Sequence, residues 1–186
     1  YCIVPRTRGL QRSIPLEEIL KDVELSIEKG SKEIYLLGQN FLSYGRDLSK
    51  KISPEEMIST VHDSFPELKR IRFLTSHPHD LTKNFLQTMT SLPRVAKYLH
   101  LPFQSGSDTV LKAMRRITTR RTVIEKSQWV RDIWKDATLS TDIIVGFPTE
   151  TKKDHEETIS LLEEVQYDFA YSFLYSPRPQ TKAFPL

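Results

Sequence analysis

At 186 residues the chain is long enough to enclose one hydrophobic core of ordinary size, and 38% apolar against 27% charged residues excludes a disordered polymer. Twenty-seven basic and 24 acidic residues leave a net charge of +3, too small a bias to argue for nucleic acid by itself. A single cysteine excludes an internal disulfide framework and suits a reducing compartment; with no apolar run of about 18 residues and no signal-peptide pattern, the expected location is cytoplasmic, without a membrane span.

In chain order, PLEEILKDVELSIEKG places Leu16, Ile19, Leu20, Val23 and Ile27 on one helical face, with Pro15 suited to the first turn and Gly30 to the C-terminal cap. The run EIYLL (33–37) predicts a first strand, followed by a helical pattern over 54–64. RIRFL (70–74) is the second strand, a helix is expected over 81–91, and YLHL (98–101) is the third strand. Helices at 108–116 and 119–135 precede the longest strand, LSTDIIVGF (139–147), and a helix at 151–165 leads to the fifth, FAYSFLY (169–175). Strand and helix periods that alternate in this way predict an α/β fold with parallel strands and helices packed outside. No sequence repeat of fixed period accompanies the alternation.

Each predicted strand runs into a polar loop marked by glycine or proline: GQN, TSHPHD, PFQSGSD, GFPTET and SPRPQT. Such residues form turns for local reasons. In parallel α/β folds, however, ligands sit on the loops at the carboxyl ends of the strands, so five of them outline an active-site mouth. Two basic clusters stand nearby: Arg6, Arg8 and Arg12 early in the chain, and Lys112, Arg115, Arg116, Arg120 and Arg121 after the PFQSGSD loop. A basic run is ordinarily a solvated face, but the second begins where a helix leaves the mouth, a place suited to a carboxylate or phosphate. His77 and His79 stand two apart with no third ligand of suitable spacing nearby, so they are not read as a metal site.

YCIVPRTRG, LLGQN, TSHP, HLPFQSGSD, DIIVGFPTET and YSPRPQTKA, taken in order, resemble the core of the radical S-adenosylmethionine methylthiotransferases, most closely the tRNA branch acting on isopentenyladenosine beside the anticodon. That family is marked by Cys-x-x-x-Cys-x-aromatic-Cys, whose thiolates hold a 4Fe-4S cluster; Tyr1 and Cys2 match its last two positions. The resemblance implies a partial (β/α) barrel of six βα units, of which five are present here. It also implies that residues 1–186 are the radical core, truncated at its N-terminus. The N-terminal methylthiotransferase domain, with a second 4Fe-4S cluster, and a C-terminal RNA-binding domain would then lie outside the chain. One thiolate cannot hold a cluster that needs three, so the chain alone is expected to be inactive.

Carried over position by position, the resemblance implies that Thr75 or Ser76, Gln104, Arg116 and Asp142 surround S-adenosylmethionine, with Tyr1 beside the cluster cysteine. Arg116 can fork onto the methionyl carboxylate, Asp142 can accept from ribose hydroxyls, and Gln104 can orient either part. Gly38, Gln39 and Asn40 take the place of the glycine-rich loop that meets the methionyl amino group. An aspartate within an otherwise apolar strand also needs a partner of its own, to offset desolvation. Thr149 and Gln180 stand where the family has glycine, which raises the expectation of altered turns there, and Thr118 replaces a frequent tyrosine. Arg6, Arg8 and Arg178 remain as anion contacts, for a tRNA backbone or the surroundings of the auxiliary cluster.

The implied reaction is reductive cleavage of S-adenosylmethionine and hydrogen abstraction from an adenine carbon, followed by sulfur insertion and methyl transfer. Its partners would be tRNA and an electron donor such as a flavodoxin or ferredoxin, and a monomer is expected. Branches acting on threonylcarbamoyl-adenosine or on a ribosomal protein share the same core. A non-catalytic α/β module that binds RNA or protein is the rival from another class, and a scaffold has no need of Gln104, Arg116 and Asp142 together. A sugar-phosphate enzyme would want a glycine in the loop after the last strand, and SPRPQT has none.

If this reading holds, the gene encodes cysteines three and seven residues before Cys2; serine or alanine there would remove the cluster. Expressed by itself, the segment is expected to aggregate through an unpaired sheet edge, and a cooperative thermal transition from a soluble monomer would contradict that expectation.

Overall fold

The computed structural model describes residues 1–185. A short helix α1 (Val4–Thr7) precedes α2 (Leu16–Glu28), β1 (Glu33–Leu36), α3 (Pro54–Ser64), β2 (Arg70–Phe73), α4 (Lys83–Ser91) and β3 (Tyr98–His100). Then come α5 (Asp108–Ala113), α6 (Arg120–Ile133), β4 (Thr138–Val145), α7 (Lys152–Val165) and β5 (Phe169–Leu174). Every predicted strand is present within two residues of its expected bounds. α1 and the 3-10 turns at Phe41–Ser43 and Pro78–Asp80 are additions, too short to carry an apolar period.

All strand pairs are parallel: β1 with β2, β3 with β4, and β4 with β5. Between β2 and β3 there is no full ladder. Ile71 bridges to Val95, exchanging bonds with Arg94 O (2.8 Å) and from Ala96 N (2.9 Å), and Ser76 N reaches His100 O at 3.3 Å. The five strands therefore form an open, barrel-like row in two paired sections.

The outer face of this row carries Ile71, Phe73, Leu99, Leu139 and Ile143, buried against Met57, Phe85, Leu86, Val123, Val130 and Leu161 of the helices. Fully burying each such side chain stabilises the fold by about 1.5–3 kcal/mol. Helix starts are set by side-chain caps, Ser53, Thr82, Ser107, Thr119 and Thr151 each accepting from the backbone three residues on. The inner face is polar and aromatic: Glu33 and Tyr35, Arg70 and Arg72, Tyr98 and His100, Ser140 and Asp142, then Phe169, Tyr171 and Phe173 in register. Among the described residues no helix follows β5, and both faces of that strand are exposed.

The PFQSGSD loop is clamped onto α7. Gly106 N donates to Thr158 Oγ1 at 2.9 Å and Ser107 Oγ donates to Asp154 Oδ1 at 2.5 Å. A Cβ on Gly106 would lie 2.5 Å from Glu157 O and 2.6 Å from Thr158 Cα, both backbone atoms. Gly106→Ala is therefore expected to destabilise the fold by about 2 kcal/mol or more, through overpacking that the backbone must absorb. Chemical denaturation of the two proteins checks this, and equal midpoints would refute it.

Candidate active site at the carboxyl ends of the strands

Parallel pairing sends the loops after all five strands to one rim, where two strained residues stand out. Thr75, after β2, has φ +68°, and Gln104, after β3, has φ +76°; non-glycine residues adopt this region at a cost and cluster at functional sites when they do. Gln104 is locked beside Asp142, its N–H donating to Asp142 O and its own O accepting from Ile144 N, both at 2.9 Å. Ser76 is 1% exposed, and its Oγ has no hydrogen-bond partner among the described residues.

Arg116 reaches the same rim by a specific turn. α5 ends in a Schellman motif, with Arg116 N bonded to Leu111 O (2.9 Å) and Arg115 N to Lys112 O (3.0 Å), and Arg115 in the left-handed region at φ +59°. This reversal brings the Arg116 guanidinium to Pro102 O (Nη2, 2.9 Å) and Tyr1 OH (Nη1, 3.4 Å), while its buried Nε stays unpaired. Tyr1 packs edge-on to Phe147 of the GFPTET loop, and Phe147 to Tyr175. Burial pushes the Tyr1 phenol above its ordinary value, with Arg116 opposing. Cys2, next along, is exposed.

The Asn40 side chain is engaged within the protein. Its Nδ2 donates to Asp80 Oδ2 at 2.6 Å and its Oδ1 accepts from His77 N at 3.1 Å, so its amide joins the first loop to the second. Arg46 adds an ion pair to Asp80 Oδ1 at 2.8 Å. Burial raises the Asp80 carboxyl, but the bonds from Asn40 and Arg46 outweigh it and hold the group below its usual value. Gly38 and Gln39 are exposed, and a Cβ on Gly38 would meet nothing closer than 3.9 Å, so no close approach within the chain requires glycine there. Gly45, missed in the sequence, is required: at φ +78° its Cβ would fall 1.9 Å from Ile52 O.

Thr149 and Gln180 keep left-handed φ values of +88° and +69°. Both thus hold, with side chains in place, the backbone region that favours glycine. Arg6, Arg8 and Arg178 are all exposed. His77 is a loop residue whose Nδ1 accepts from His79 N at 3.2 Å, and among the described residues no three His, Cys, Asp or Glu side chains are gathered to hold a metal ion. Among the described residues, too, no helix is long and apolar enough to cross a membrane.

One residue that sequence reasoning passed over is His100, inside the HLPFQSGSD motif. It bonds Asp142 Oδ2 through Nε2 at 3.2 Å, the partner that the half-buried strand aspartate needed. The rim thus offers an unpaired guanidinium nitrogen, a buried hydroxyl and a carboxylate with one oxygen held, a set suited to a ligand with a carboxylate and vicinal hydroxyls. A buried polar atom without a partner costs about 1–3 kcal/mol, and Ser76 Oγ and Arg116 Nε are two of six such atoms among the described residues. For a 4Fe-4S cluster the 186 residues do not suffice, because Cys2 is the one cysteine in the sequence.

A parallel strand row with its polar rim on these loops is the frame of many α/β ligand-binding folds, and residues 1–162 match the radical SAM superfamily. The chain belongs to that superfamily. It is 45% identical to the tRNA-2-methylthio-N(6)-dimethylallyladenosine synthase of Syntrophobacter fumaroxidans, over 98% of this chain and 40% of the relative. It is 44% identical to the enzyme of that name from Aquifex aeolicus, over 98% of this chain and 41% of the relative. For the Thermus thermophilus enzyme of that name the identity is 47%, over 99% and 39%. The chain therefore spans about two fifths of the length of these curated relatives. Among solved structures, coproporphyrinogen III oxidase of Escherichia coli superposes with a TM-score of 0.65 at 14% identity, over 91% of this chain and 40% of that one. The radical S-adenosylmethionine methyltransferase TsrM from Kitasatospora setae gives 0.66 at 10%, over 89% and 31%. These two likenesses concern the fold.

Burial, with the Arg116 charge beside it, lowers the His77 pKa to about 4. Its folded value lies below its unfolded one, so its contribution to stability is complete above pH 6.5 and is lost as pH falls from about 6.5 toward 4. Unfolding measured across that window should show His77→Gln losing less stability than the parent; identical slopes would contradict the assignment.

Proposed function

We propose that this chain is the radical S-adenosylmethionine core of a tRNA methylthiotransferase that adds a methylthio group to isopentenyladenosine beside the anticodon. The observation that carries the reading is identity of 44–47% along nearly the whole chain to three relatives that all bear the name of that activity. In this reading Arg116 forks onto the methionyl carboxylate, Asp142 accepts from the ribose, and Gln104 bridges the two. Thr75 and Ser76 close the pocket on one side, and the Gly38–Gln39 backbone faces the amino group, positioned by the Asn40 clasp. Tyr1 and Phe147 form an apolar wall that keeps water from the reacting end. Bound S-adenosylmethionine supplies the radical chemistry, while these side chains bind and orient it.

Cys2 is one ligand of the 4Fe-4S cluster, and the other two cysteines belong to a longer protein. That protein also carries the N-terminal methylthiotransferase domain with a second 4Fe-4S cluster, and a C-terminal RNA-binding domain. The exposed Arg6, Arg8 and Arg178 contact phosphates of the tRNA. A flavodoxin or ferredoxin delivers electrons, and the setting is cytoplasmic.

The test uses the full-length gene product with its clusters rebuilt without oxygen, given S-adenosylmethionine, a reducing system and tRNA containing isopentenyladenosine. Mass spectrometry of the nucleosides should find the methylthio group on that base. Modification of threonylcarbamoyl-adenosine alone would move the protein to another branch, and no modification of either would overturn the reading. Arg116→Met is expected to weaken S-adenosylmethionine binding by about tenfold or more while leaving tRNA affinity unchanged.

A further inference from the structure

Four inner-face side chains of β3 and β4 form one continuous hydrogen-bonded chain: Tyr98 OH to Ser140 Oγ at 2.6 Å, Ser140 Oγ to His100 Nδ1 at 2.8 Å, and His100 Nε2 to Asp142 Oδ2 at 3.2 Å. The partners stand 40 to 42 residues apart in sequence and meet only through the parallel register that pairs Tyr98 with Thr138 and His100 with Ser140. The His100 side chain is 12% exposed and that of Asp142 28%.

Chemistry gives this chain a direction. An ionised carboxylate only accepts, so Nε2 of His100 must carry the hydrogen that it shares with Asp142. In a neutral imidazole Nδ1 is then an acceptor, and the Ser140 hydroxyl must donate to it. The Ser140 oxygen in turn accepts from the Tyr98 phenol. Every donor has an acceptor, and the sequence of bonds ends on a single oxygen of Asp142. The other oxygen, Oδ1, takes no hydrogen bond among the described residues. The backbone at Asp142 is fixed as well, since its carbonyl accepts from Gln104 N at 2.9 Å.

We propose that His100 is a positioning residue that fixes the Asp142 carboxylate so that its free oxygen meets the ribose hydroxyls of S-adenosylmethionine, with Ser140 and Tyr98 fixing the imidazole tautomer. This rests on the reading of Asp142 as the ribose acceptor. Without His100 the carboxylate gains rotational freedom that binding must then remove, and it loses a charge-assisted bond in a partly buried place. The cost falls on ligands that use the ribose hydroxyls and on no others.

The experiment is calorimetric titration of the full-length gene product, its clusters rebuilt and no reductant present, with S-adenosylmethionine and with its 2′,3′-dideoxy analogue. His100→Ala is expected to raise Kd for S-adenosylmethionine by about tenfold and to leave Kd for the dideoxy analogue unchanged. His100→Gln, whose amide N–H can still reach the carboxylate, should recover most of the loss. Asp142→Ala should match His100→Ala, and the double variant should lose no more than either. Tyr98→Phe, a mild change that keeps the ring, should cost about threefold for S-adenosylmethionine alone, and it carries the test should His100→Ala not fold. Equal weakening of both ligands by His100→Ala, or no weakening of either, would overturn the proposal. A loss with Asp142→Ala but none with His100→Ala would overturn the positioning role alone. Full affinity in Asp142→Ala would overturn the ribose reading and this proposal with it.

Discussion

A parallel strand cannot turn straight into its neighbour, so the chain must travel back along the sheet before the next strand begins. Here each return runs through at least one helix, α3, α4, α5 with α6, or α7, and two consequences follow together. The helices cover the outer face of the strands and supply the apolar core, and the loops after the strands all emerge on one rim. Tyr1, Ser76, Gln104, Arg116 and Asp142 meet there for no reason of sequence proximity. Parallel pairing places Ser76 and Gln104 there, the inner face of β4 adds Asp142, and the turn after α5 carries Arg116 to Tyr1.

The same arrangement leaves an inner face that is not covered by helices, and the chain fills it with polar groups that answer one another. Glu33 is held below its usual carboxyl value by hydrogen bonds from Arg72 and Arg70, and the Arg72 guanidinium lies 5.6 Å from the centre of the Tyr35 ring. On the second section the Tyr98–Ser140–His100–Asp142 chain does the equivalent work. Desolvated polar atoms are tolerated on a sheet when each has a partner. Two of the exceptions, Ser76 Oγ and Arg116 Nε, lie on residues at the rim. Four more buried atoms lack a partner among the described residues, His62 Nε2, Thr118 Oγ1, Glu150 Oε1 and His155 Nδ1, so it is the place of Ser76 and Arg116, beside Gln104 and Asp142, that sets those two apart.

Much of this was legible in the letters. Strand positions followed from short β-branched and apolar runs, and α2 from five apolar residues on one face, because both signals are local. The site residues came from motif resemblance, and the structure brings Tyr1, Gln104 and Arg116 close to Asp142. The roles of Asn40 and His100 were not legible, since their partners Asp80 and Asp142 are 40 and 42 residues away and no local period records such a pairing. The Schellman turn that aims Arg116 was equally hidden, because arginine at the left-handed position replaces the glycine that usually announces it. Thr149 and Gln180 carry the same lesson: a missing glycine does not mean a missing turn.

The gap in the ladder between β2 and β3 bears on how the row is held together. Within each section the strands are joined by regular hydrogen bonding, whereas between the two sections the strand backbones meet through the exchange at Ile71 and the bond from Ser76, and a shared helix core with the Lys126 Nζ–Leu81 O bond at 2.8 Å does the rest. At that junction the row is held by its helices more than by its strands. The Asn40–His77 and Asn40–Asp80 bonds lie within the first section, and the Tyr98-to-Asp142 chain lies within the second. A ligand that touched Ser76 on one side and Asp142 on the other would therefore span the two sections at the place where backbone pairing is thinnest, and would tie together what the ladders leave apart.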